Sequence, residues 1–262
     1  MSTLLKSILE KHQLRANGIL HIGAHEGEEC EVYNEIGFDS VMWIEADPDV
    51  FKNLEAKINR FSHHSAHCVL ASEQDNLAVE FFVANNNGHS SSLLPLNDQL
   101  TDRLVPGLQM AGSKILKTRR LDTYFAENGI NISNYNVLNV DVQGAELMVL
   151  KGMFLLLQNF QLICAEIHLT RNYQNAVLLH ELDGFMAESG FARVSTSAAG
   201  AEGEAYYLRL SPRQLKLKKY AMITEALFLE SLFHTGIMAF FARQKNRFPI
   251  IRRLYHLILT RK

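Results

Sequence analysis

The chain has 262 residues, of which 47% are hydrophobic and 21% are charged. A chain of this length can bury a sizeable core, and its composition excludes a disordered or fibrous protein. The charge is unevenly distributed, because residues 211–262 contain 11 of the 26 Lys and Arg residues but only 2 of the 28 acidic ones. Residues 1–210 are therefore strongly acidic, which argues against nucleic acid as a partner, since nucleic-acid-binding domains present a basic face.

The cysteines and the apolar segments indicate the compartment. Cys30, Cys68 and Cys164 are widely spaced and form no CxxC pair, which is typical of free thiols in a reducing compartment. No basic segment followed by an apolar run opens the chain, as it would in a signal peptide. The longest apolar stretch, residues 220–242, is interrupted by two glutamates and a histidine and is not expected to span a membrane. We therefore predict a cytoplasmic protein.

Strand-like and helix-like segments alternate along the first part of the chain, after a helical lead over residues 3–13. The predicted strands are 19–24, 41–46 and 68–72, and the predicted helices between them are 28–36 and 49–59. Apolar strands that alternate with helices of this kind indicate a parallel sheet covered on both faces. Right-handed crossovers bring the carboxyl ends of such strands to one edge of the sheet.

The middle of the chain is less regular, and the alternation then resumes. We predict an edge strand over 78–84, a polar loop over 85–99, a short strand over 114–119 and a helix over 121–129. The later elements are strands at 136–142 and 160–168, helices at 144–157 and 174–189, and a hairpin of 191–196 with 204–210. A mostly parallel seven-stranded sheet with an antiparallel terminal hairpin is the Rossmann-like α/β fold of class I methyltransferases. The predicted units are a lead over 1–17, this domain over 18–210 and an extension over 211–262.

The strongest local signal is the loop Gly23-Ala24-His25-Glu26-Gly27, which follows the first predicted strand directly. Small residues let a backbone turn tightly and approach a nucleoside or a carboxylate closely. The spacing is GxxxG and lacks the middle glycine of a pyrophosphate-binding GxGxxG loop, which disfavours a dinucleotide. The alternative interpretation is a plain turn between a strand and a helix.

Three acidic positions lie at predicted strand ends. Glu45 ends the second strand, where a carboxylate can accept hydrogen bonds from both hydroxyls of a ribose. Asp141 ends the fourth core strand and is followed by a tight turn that contains Gln143 and Glu146. A carboxylate there can hold a substrate hydroxyl, act as its general base, join a metal site or cap the next helix.

Two histidine-containing groups were considered for proton transfer or metal binding. Glu166 and His168 are two residues apart on the fifth strand, so they share a face and can form either a proton-transfer couple or a structural pair. His63, His64 and His67 form an HHxxH cluster without a suitably spaced carboxylate or thiolate. We therefore predict no metal site.

Several segments, taken in order, resemble the FkbM family of methyltransferases. They are IGAHEG in the first strand and loop, IEADP after the second strand, NGHSSSL, RRLDTYF, NVDVQGAELMVLKG and the strand that ends CAEIH. The resemblance covers residues 18–210. It implies transfer of the methyl group of S-adenosylmethionine to a hydroxyl oxygen of a sugar, a glycan or another small molecule.

The resemblance also implies roles for individual residues. It places Gly23, Ala24, His25 and Gly27 around the methionine part of the cofactor and Glu45 on its ribose, and it makes Asp141 and Glu146 the acidic signature beside the transfer site. We predict that Glu26, Ala46, Ser72 and Asp141 also contact the cofactor. Asp141 or His168 is the predicted base, with Glu146 beside it. Two positions depart from the family pattern, because His25-Glu26 stands where Asn-Ile is common and Gln143 where an acid is usual.

Other interpretations remain open at this level. A protein with the same fold but no catalysis would bind a glycan or a protein partner at the acidic edge. A nicotinamide-dependent oxidoreductase is supported by fold analogy alone. The acceptor pocket is expected in the loops 85–110 and 169–173.

The basic extension is predicted to form two helices, 215–241 and 248–262, with apolar residues at helical spacing in the second. Such an extension can lie on an anionic membrane as a peripheral contact. It can also pack its apolar face on the acidic body or on a second subunit of a homo-oligomer. We favour packing, because the apolar stretch needs cover.

Overall fold

A computed structural model describes residues 2–97, 105–198 and 200–234 of the chain. The helices are α1 (Ser2–Lys11), α2 (Cys30–Ile36), α3 (Pro48–Ile58), α4 (Leu121–Glu127), α5 (Glu146–Gly152), α6 (Leu179–Glu188) and α7 (Pro212–His234), with a 3₁₀ helix at Phe154–Asn159. The strands are β1 (Gly18–Ile22), β2 (Ser40–Glu45), β3 (His64–Cys68), β4 (Leu70–Ala71), β5 (Ala78–Ala84), β6 (Met110–Arg119), β7 (Val137–Val140), β8 (Leu162–His168), β9 (Phe191–Ala198) and β10 (Glu202–Arg209).

The main sheet has seven strands in the order β3-β2-β1-β7-β8-β10-β9. β10 runs antiparallel to β8 and to β9, whereas the other neighbours are parallel. This arrangement confirms the predicted class I methyltransferase fold with its terminal hairpin. The strand order reverses between β1 and β7, and open α/β sheets bind ligands at the carboxyl edge of such a switch point.

Alternate residues of the central strands pack into two apolar layers, one on each face of the sheet. Leu20 and Ile22 lie in one layer with Leu138 and Val140 of the neighbouring strand. The other layer contains Ile19, Val41 and Trp43, and the indole of Trp43 stacks on the ring of Tyr33 at a centroid distance of 5.2 Å. The side chains of both layers are almost fully buried, so the central strands are packed on both faces below the carboxyl edge.

The third strand differs from the prediction. The segment 68–72 was predicted as one strand, but the sheet strand is β3 at His64–Cys68, and Leu70–Ala71 pairs with β6 instead. β3 is the edge strand of the main sheet, and its residues are only partly buried. Its sequence is therefore polar and has the pattern of a loop between elements. β4, β6 and β5 form a second sheet of three strands in that order, with β5 at its edge.

Two predicted helices are shorter in the structure. The helix predicted over 144–157 is α5 followed by the 3₁₀ helix. At the end of α5, Gly152 lies so close to the loop after β4 that a Cβ there would be 1.9 Å from the Ser72 carbonyl oxygen. The helix predicted over 174–189 begins only at Leu179. The residues before it form a loop whose Gln174 amide donates to the Pro95 carbonyl at 2.8 Å.

The first part of the extension packs on the body. α7 contacts α6 and β9, and it buries Met222, Ala226 and Leu229. The buried Glu230 carboxylate accepts hydrogen bonds from the backbone and the ring of His180, at 2.8 and 2.7 Å. α7 begins at Pro212, before the predicted start, and the remainder of the predicted helix 215–241, together with the helix 248–262, lies outside the described residues. Among the helices that are described, none has the length and apolarity needed to cross a bilayer.

Candidate active site

A cleft opens at the carboxyl ends of β1, β2 and β7, where the strand order reverses. It is open to solvent on one side, and about 930 Å³ of empty space lies within it, part of which is continuous with the surrounding solvent. The loop after β1, the loop after β2, the end of β7 and the polar segment 88–93 form its walls.

The loop after β1 is held between the two neighbouring strands. The backbone amides of Gly23 and Ala24 both donate to the Ile44 carbonyl, at 2.9 and 3.0 Å. Gly23 has a φ of 84°, and a Cβ at this position would lie 1.7 Å from the carbonyl oxygen of Asp141. Only glycine allows this approach, so the loop and the Asp141 turn form one continuous wall.

Glu45 ends β2 with its carboxylate on the cleft wall. Its two oxygens accept hydrogen bonds from the backbone amides of His25, at 2.8 Å, and Asp47, at 2.7 Å. Burial nevertheless raises the pKa of Glu45 to about 6. A carboxylate oxygen has two lone pairs, so each can also accept a hydroxyl proton from a ligand.

The residues around Glu45 fit a nucleoside. Asp47 caps α3 through the Asp49 amide, with Pro48 at the first helical position, which fixes the loop that carries Glu45. The apolar residues Val50, Leu70 and Phe81 line the same part of the cleft. An apolar slot beside a buried acid with free acceptor capacity has the shape and polarity that a nucleobase and its ribose require.

His25 connects the loop after β1 to the segment 85–92. Its Nδ1 lies 2.7 Å from the Glu28 carboxylate, its Nε2 lies 2.9 Å from the Asn87 carbonyl, and its ring centroid is 4.0 Å from that of His89. Burial alone would lower the pKa of His25, but these hydrogen bonds and the nearby carboxylates raise it. The residue that departs from the family pattern therefore holds a wall of the cleft.

Gln143 organises the turn after β7. Its side-chain amide donates to Asp141 at 2.8 Å and to Glu166 at 2.9 Å, and its carbonyl accepts from the Tyr173 hydroxyl at 2.8 Å. The backbone of Gln143 is left-handed, with a φ of 56°, which turns the side chain toward these carboxylates. Burial raises the pKa of both Asp141 and Glu166, and the charge of Asp141 raises that of Glu166 further.

Glu146 and His168 lie behind this wall. One oxygen of Glu146 accepts from the amides of Val142, at 3.2 Å, and Gly144, at 3.0 Å, so the acid shapes the turn. Burial raises the pKa of Glu146 to about 8. His168 is fully buried, with Nε2 4.0 Å from Glu146 and 3.5 Å from Glu166.

The cleft brings together some of the predicted site residues and not others. Those that line it are Gly23, Ala24, His25, Glu45, Ala46 and Asp141, and those that do not are Glu26, Gly27, Ser72, Glu146 and His168. Glu26 accepts a hydrogen bond from the Asn53 side chain at 2.8 Å, and Ser72 donates its amide to the Arg119 carbonyl at 2.9 Å. Gly27 is a packing position, because a Cβ there would lie 2.8 Å from the Cys30 sulfur.

Two histidines of the cleft wall were missed in the sequence. His21 lies within β1, between the Tyr33 hydroxyl at 3.1 Å and the Asn139 amide at 3.0 Å, and burial lowers its pKa to about 4. A histidine in an otherwise apolar strand was the available signal. His89 lines the mouth beside His25, a contact that no sequence spacing indicates.

The HHxxH cluster lies away from the cleft, on and before β3. His64 Nδ1 accepts from the Trp43 indole at 3.3 Å, and His67 Nδ1 is 3.4 Å from the Tyr124 hydroxyl. These imidazoles pack against aromatic side chains.

Comparison with known proteins identifies a family for the chain. Residues 21–192 match the family model described as the methyltransferase FkbM domain, and no curated protein sequence matches. The chain is similar in structure to methyltransferase FkbM from Methylobacillus flagellatus KT, with 15% identity and a TM-score of 0.48. That match covers 73% of this chain and 43% of the other, so this chain spans less than half of that relative.

Two further solved structures are similar over most of their length. One is magnesium protoporphyrin IX methyltransferase from Synechocystis with bound S-adenosylmethionine, at 11% identity and a TM-score of 0.44, covering 80% of this chain and 78% of that one. The other is M. capricolum TrmK with S-adenosylhomocysteine, at 7% identity and a TM-score of 0.45, covering 92% and 89%. The family match itself spans about two thirds of the chain and includes the Gly23 loop, Glu45 and the Asp141 turn. The chain therefore belongs to the FkbM methyltransferase family, which uses S-adenosylmethionine as its cofactor.

Proposed function

We propose that the protein transfers a methyl group from S-adenosylmethionine to a hydroxyl oxygen of a sugar, a glycan or another small molecule. The observation that carries this proposal is the position of Asp141, which lines the cleft while its carbonyl oxygen lies against the loop after β1 at Gly23. A residue able to accept a proton would thus adjoin the loop that we propose binds the methyl donor.

The cleft residues divide between cofactor and acceptor. The backbone of Gly23 and Ala24 would hold the amino-acid part of the cofactor, Glu45 would accept hydrogen bonds from its ribose hydroxyls, and Ala46 would adjoin the ribose. The bound cofactor supplies an electrophilic methyl group on sulfonium. Glu26, Gly27 and Ser72 support the loops that bind it, since they lie outside the cleft wall.

Asp141 is the proposed general base, rather than His168. When the bound cofactor donates its methyl group to the acceptor oxygen, Asp141 would accept the proton that this hydroxyl loses. Gln143 donates to Asp141 Oδ1 and thereby restrains the orientation of the carboxylate. His168 is fully buried and does not line the cleft, so it has no direct path to an acceptor.

The acceptor side is polar, which favours a hydroxylated substrate over a flat apolar one. His89, Ser91 and Gln143 line the cleft there. The two loops predicted to form the pocket meet, because Leu96 pairs with Tyr173 and the Tyr173 hydroxyl donates to the Ser90 carbonyl at 3.2 Å. Residues 98–104 of the first loop lie outside the described part of the chain.

Asp141→Asn tests the proposal. The variant keeps the size of the side chain and removes its basicity, so turnover should fall by roughly 100-fold or more while the affinity for S-adenosylhomocysteine stays within a few-fold. Methyl transfer from labelled S-adenosylmethionine to a panel of glycans and hydroxylated small molecules is the assay. A fully active Asp141→Asn enzyme would refute the role of Asp141.

The alternative is a protein that binds a glycan or protein partner without catalysis. In that case S-adenosylhomocysteine would not raise the melting temperature of the wild-type protein, and no acceptor would be methylated. Stabilisation by NAD instead would indicate an oxidoreductase. We propose that nucleic acid is not a partner, because the residues that surround the cleft include the acids Glu28, Glu29 and Asp47. We also propose a cytoplasmic location, which the free cysteines support.

A further inference from the structure

A buried cluster behind the cleft has polar atoms with no hydrogen-bond partner. Both ring nitrogens of His168 and the Oε2 atom of Glu146 are buried and make no hydrogen bond within the described residues. Both side chains have no exposed surface. An unpaired buried polar atom costs roughly 1–3 kcal/mol, so three of them in one place require an explanation.

The unpaired atoms His168 Nε2 and Glu146 Oε2 lie close to the carboxylate of Glu166. His168 Nε2 lies 3.5 Å from Glu166 Oε2 and 4.0 Å from Glu146 Oε2, and all three donor atoms lie within 4.8 Å of one another. A cation at the centre of such a triangle would be about 2.2–2.4 Å from each donor, close to the distances of transition-metal ligands. We propose that Glu146, Glu166 and His168 bind one divalent transition-metal ion.

The residues around the three donors are arranged as metal ligands usually are. The second oxygen of Glu146 is fixed by two backbone amides of the turn, and Glu166 is oriented by the Gln143 amide. His168 Nδ1, on the other side of the ring, faces the Glu202 carboxylate at 3.8 Å. A carboxylate behind a ligating imidazole is the common outer-shell partner of metal-bound histidine.

Charge supports a cation in the same place. Two carboxylates lie close together in a site where Glu146 is fully buried and Glu166 largely so, and buried charges are normally paired or bound to metal. One imidazole and two carboxylates without a thiolate suit Zn²⁺ or Mn²⁺ rather than Cu⁺, and the imidazole disfavours Mg²⁺ and Ca²⁺. The ion would join the Asp141 turn to β8 and stiffen the wall that carries the proposed base.

A second group of potential ligands, at the mouth of the cleft, is a weaker candidate. His25, Glu28 and His89 also lie within ligand distance of one another. However, both ring nitrogens of His25 already have partners, Glu28 and the Asn87 carbonyl. His89→Gln is therefore a suitable control for the buried site.

The test is metal binding by the full-length protein. The protein is stripped with a chelator and titrated calorimetrically with Zn²⁺ and, separately, with Mn²⁺, whose electron paramagnetic resonance spectrum reports bound ion. We expect one ion per chain and a higher melting temperature with the ion than without it. Stripped, folded protein that binds neither ion would overturn the proposal.

The variants locate the site. His168→Gln and Glu166→Gln should weaken Zn²⁺ binding by at least tenfold, whereas His89→Gln and the exposed control Glu55→Gln should leave it unchanged. Glu146→Gln is less informative, because the same carboxylate shapes the turn and the variant can fail to fold. Circular dichroism checks the fold of each variant. Binding of wild-type strength in folded His168→Gln would also overturn the proposal, and neither outcome depends on methyltransferase activity.

Discussion

Replacement of Glu45 by Gln is the sharpest test of the cofactor site. The carboxylate is placed by two backbone amides and has lone pairs left for two ribose hydroxyls. The side-chain amide of glutamine offers one weaker acceptor oxygen, and its NH₂ group cannot accept a hydrogen bond. Because hydrogen bonds to charged groups contribute about 1.5–3 kcal/mol each and neutral ones about half, the expected loss is about 2–3 kcal/mol. The affinity for S-adenosylhomocysteine should therefore fall roughly 30- to 140-fold.

The pH dependence gives the same test a second readout. Burial raises the pKa of Glu45 to about 6, so the carboxylate that accepts the hydroxyls forms only as pH rises through this value. Cofactor affinity should drop about tenfold from pH 7 to pH 5 in the wild type, and this Glu45-dependent drop should be absent in Glu45→Gln.

The stability of the ligand-free protein should move in the opposite direction. A carboxyl group with a raised pKa in the folded state favours folding most below its unfolded pKa of 4.5, and this contribution is lost as pH rises through 6. The Glu45 contribution to the free energy of unfolding should thus decrease by about 2 kcal/mol as the pH rises from below 4.5 to above 6.

The assay for the affinity predictions is calorimetric titration with S-adenosylhomocysteine between pH 5 and 7, with the exposed Glu55→Gln as control. An unchanged affinity in Glu45→Gln at pH 7 would refute the ribose role.

Three further predictions concern the loop and the extension. Gly23→Ala should abolish binding of S-adenosylhomocysteine in calorimetry, because its Cβ would meet the Asp141 carbonyl at 1.7 Å; binding of normal strength would contradict the close approach. Leu229→Ala should lower the free energy of unfolding in urea by about 2–5 kcal/mol, because Leu229 is buried where α7 packs on the body, and a loss under 0.5 kcal/mol would count against that packing. Removal of residues 235–262 separates the two roles proposed for the extension. Loss of binding to anionic liposomes would support the membrane role. A change of oligomeric state or aggregation would support packing, which is the outcome we expect.

Much of the fold is readable from local pattern. Alternation of apolar strands with helices determines a parallel sheet, because such strands must be covered on both faces. The Gly23 loop and Glu45 were found for the same reason, since a ligand at a parallel sheet lies at the strand carboxyl ends, and these follow the strands directly in the chain. The errors are at positions where the local pattern is weak: β3 is an edge strand with polar residues, and α5 ends at Gly152, which packs closely on a distant loop.

The chemistry beyond the strand ends depends on residues that are far apart in sequence. His25 binds a carbonyl 62 residues away, and Gln143 joins Asp141 to Glu166 and Tyr173 on different elements. No local spacing encodes those contacts, because they arise only when β7 lies beside β8 and the segment 85–92 folds onto the first loop. The sequence by itself determined the fold, the family and the cofactor edge. Only the tertiary structure decided that Asp141 lines the cleft while His168 is fully buried outside the lining, because burial depends on the whole packing.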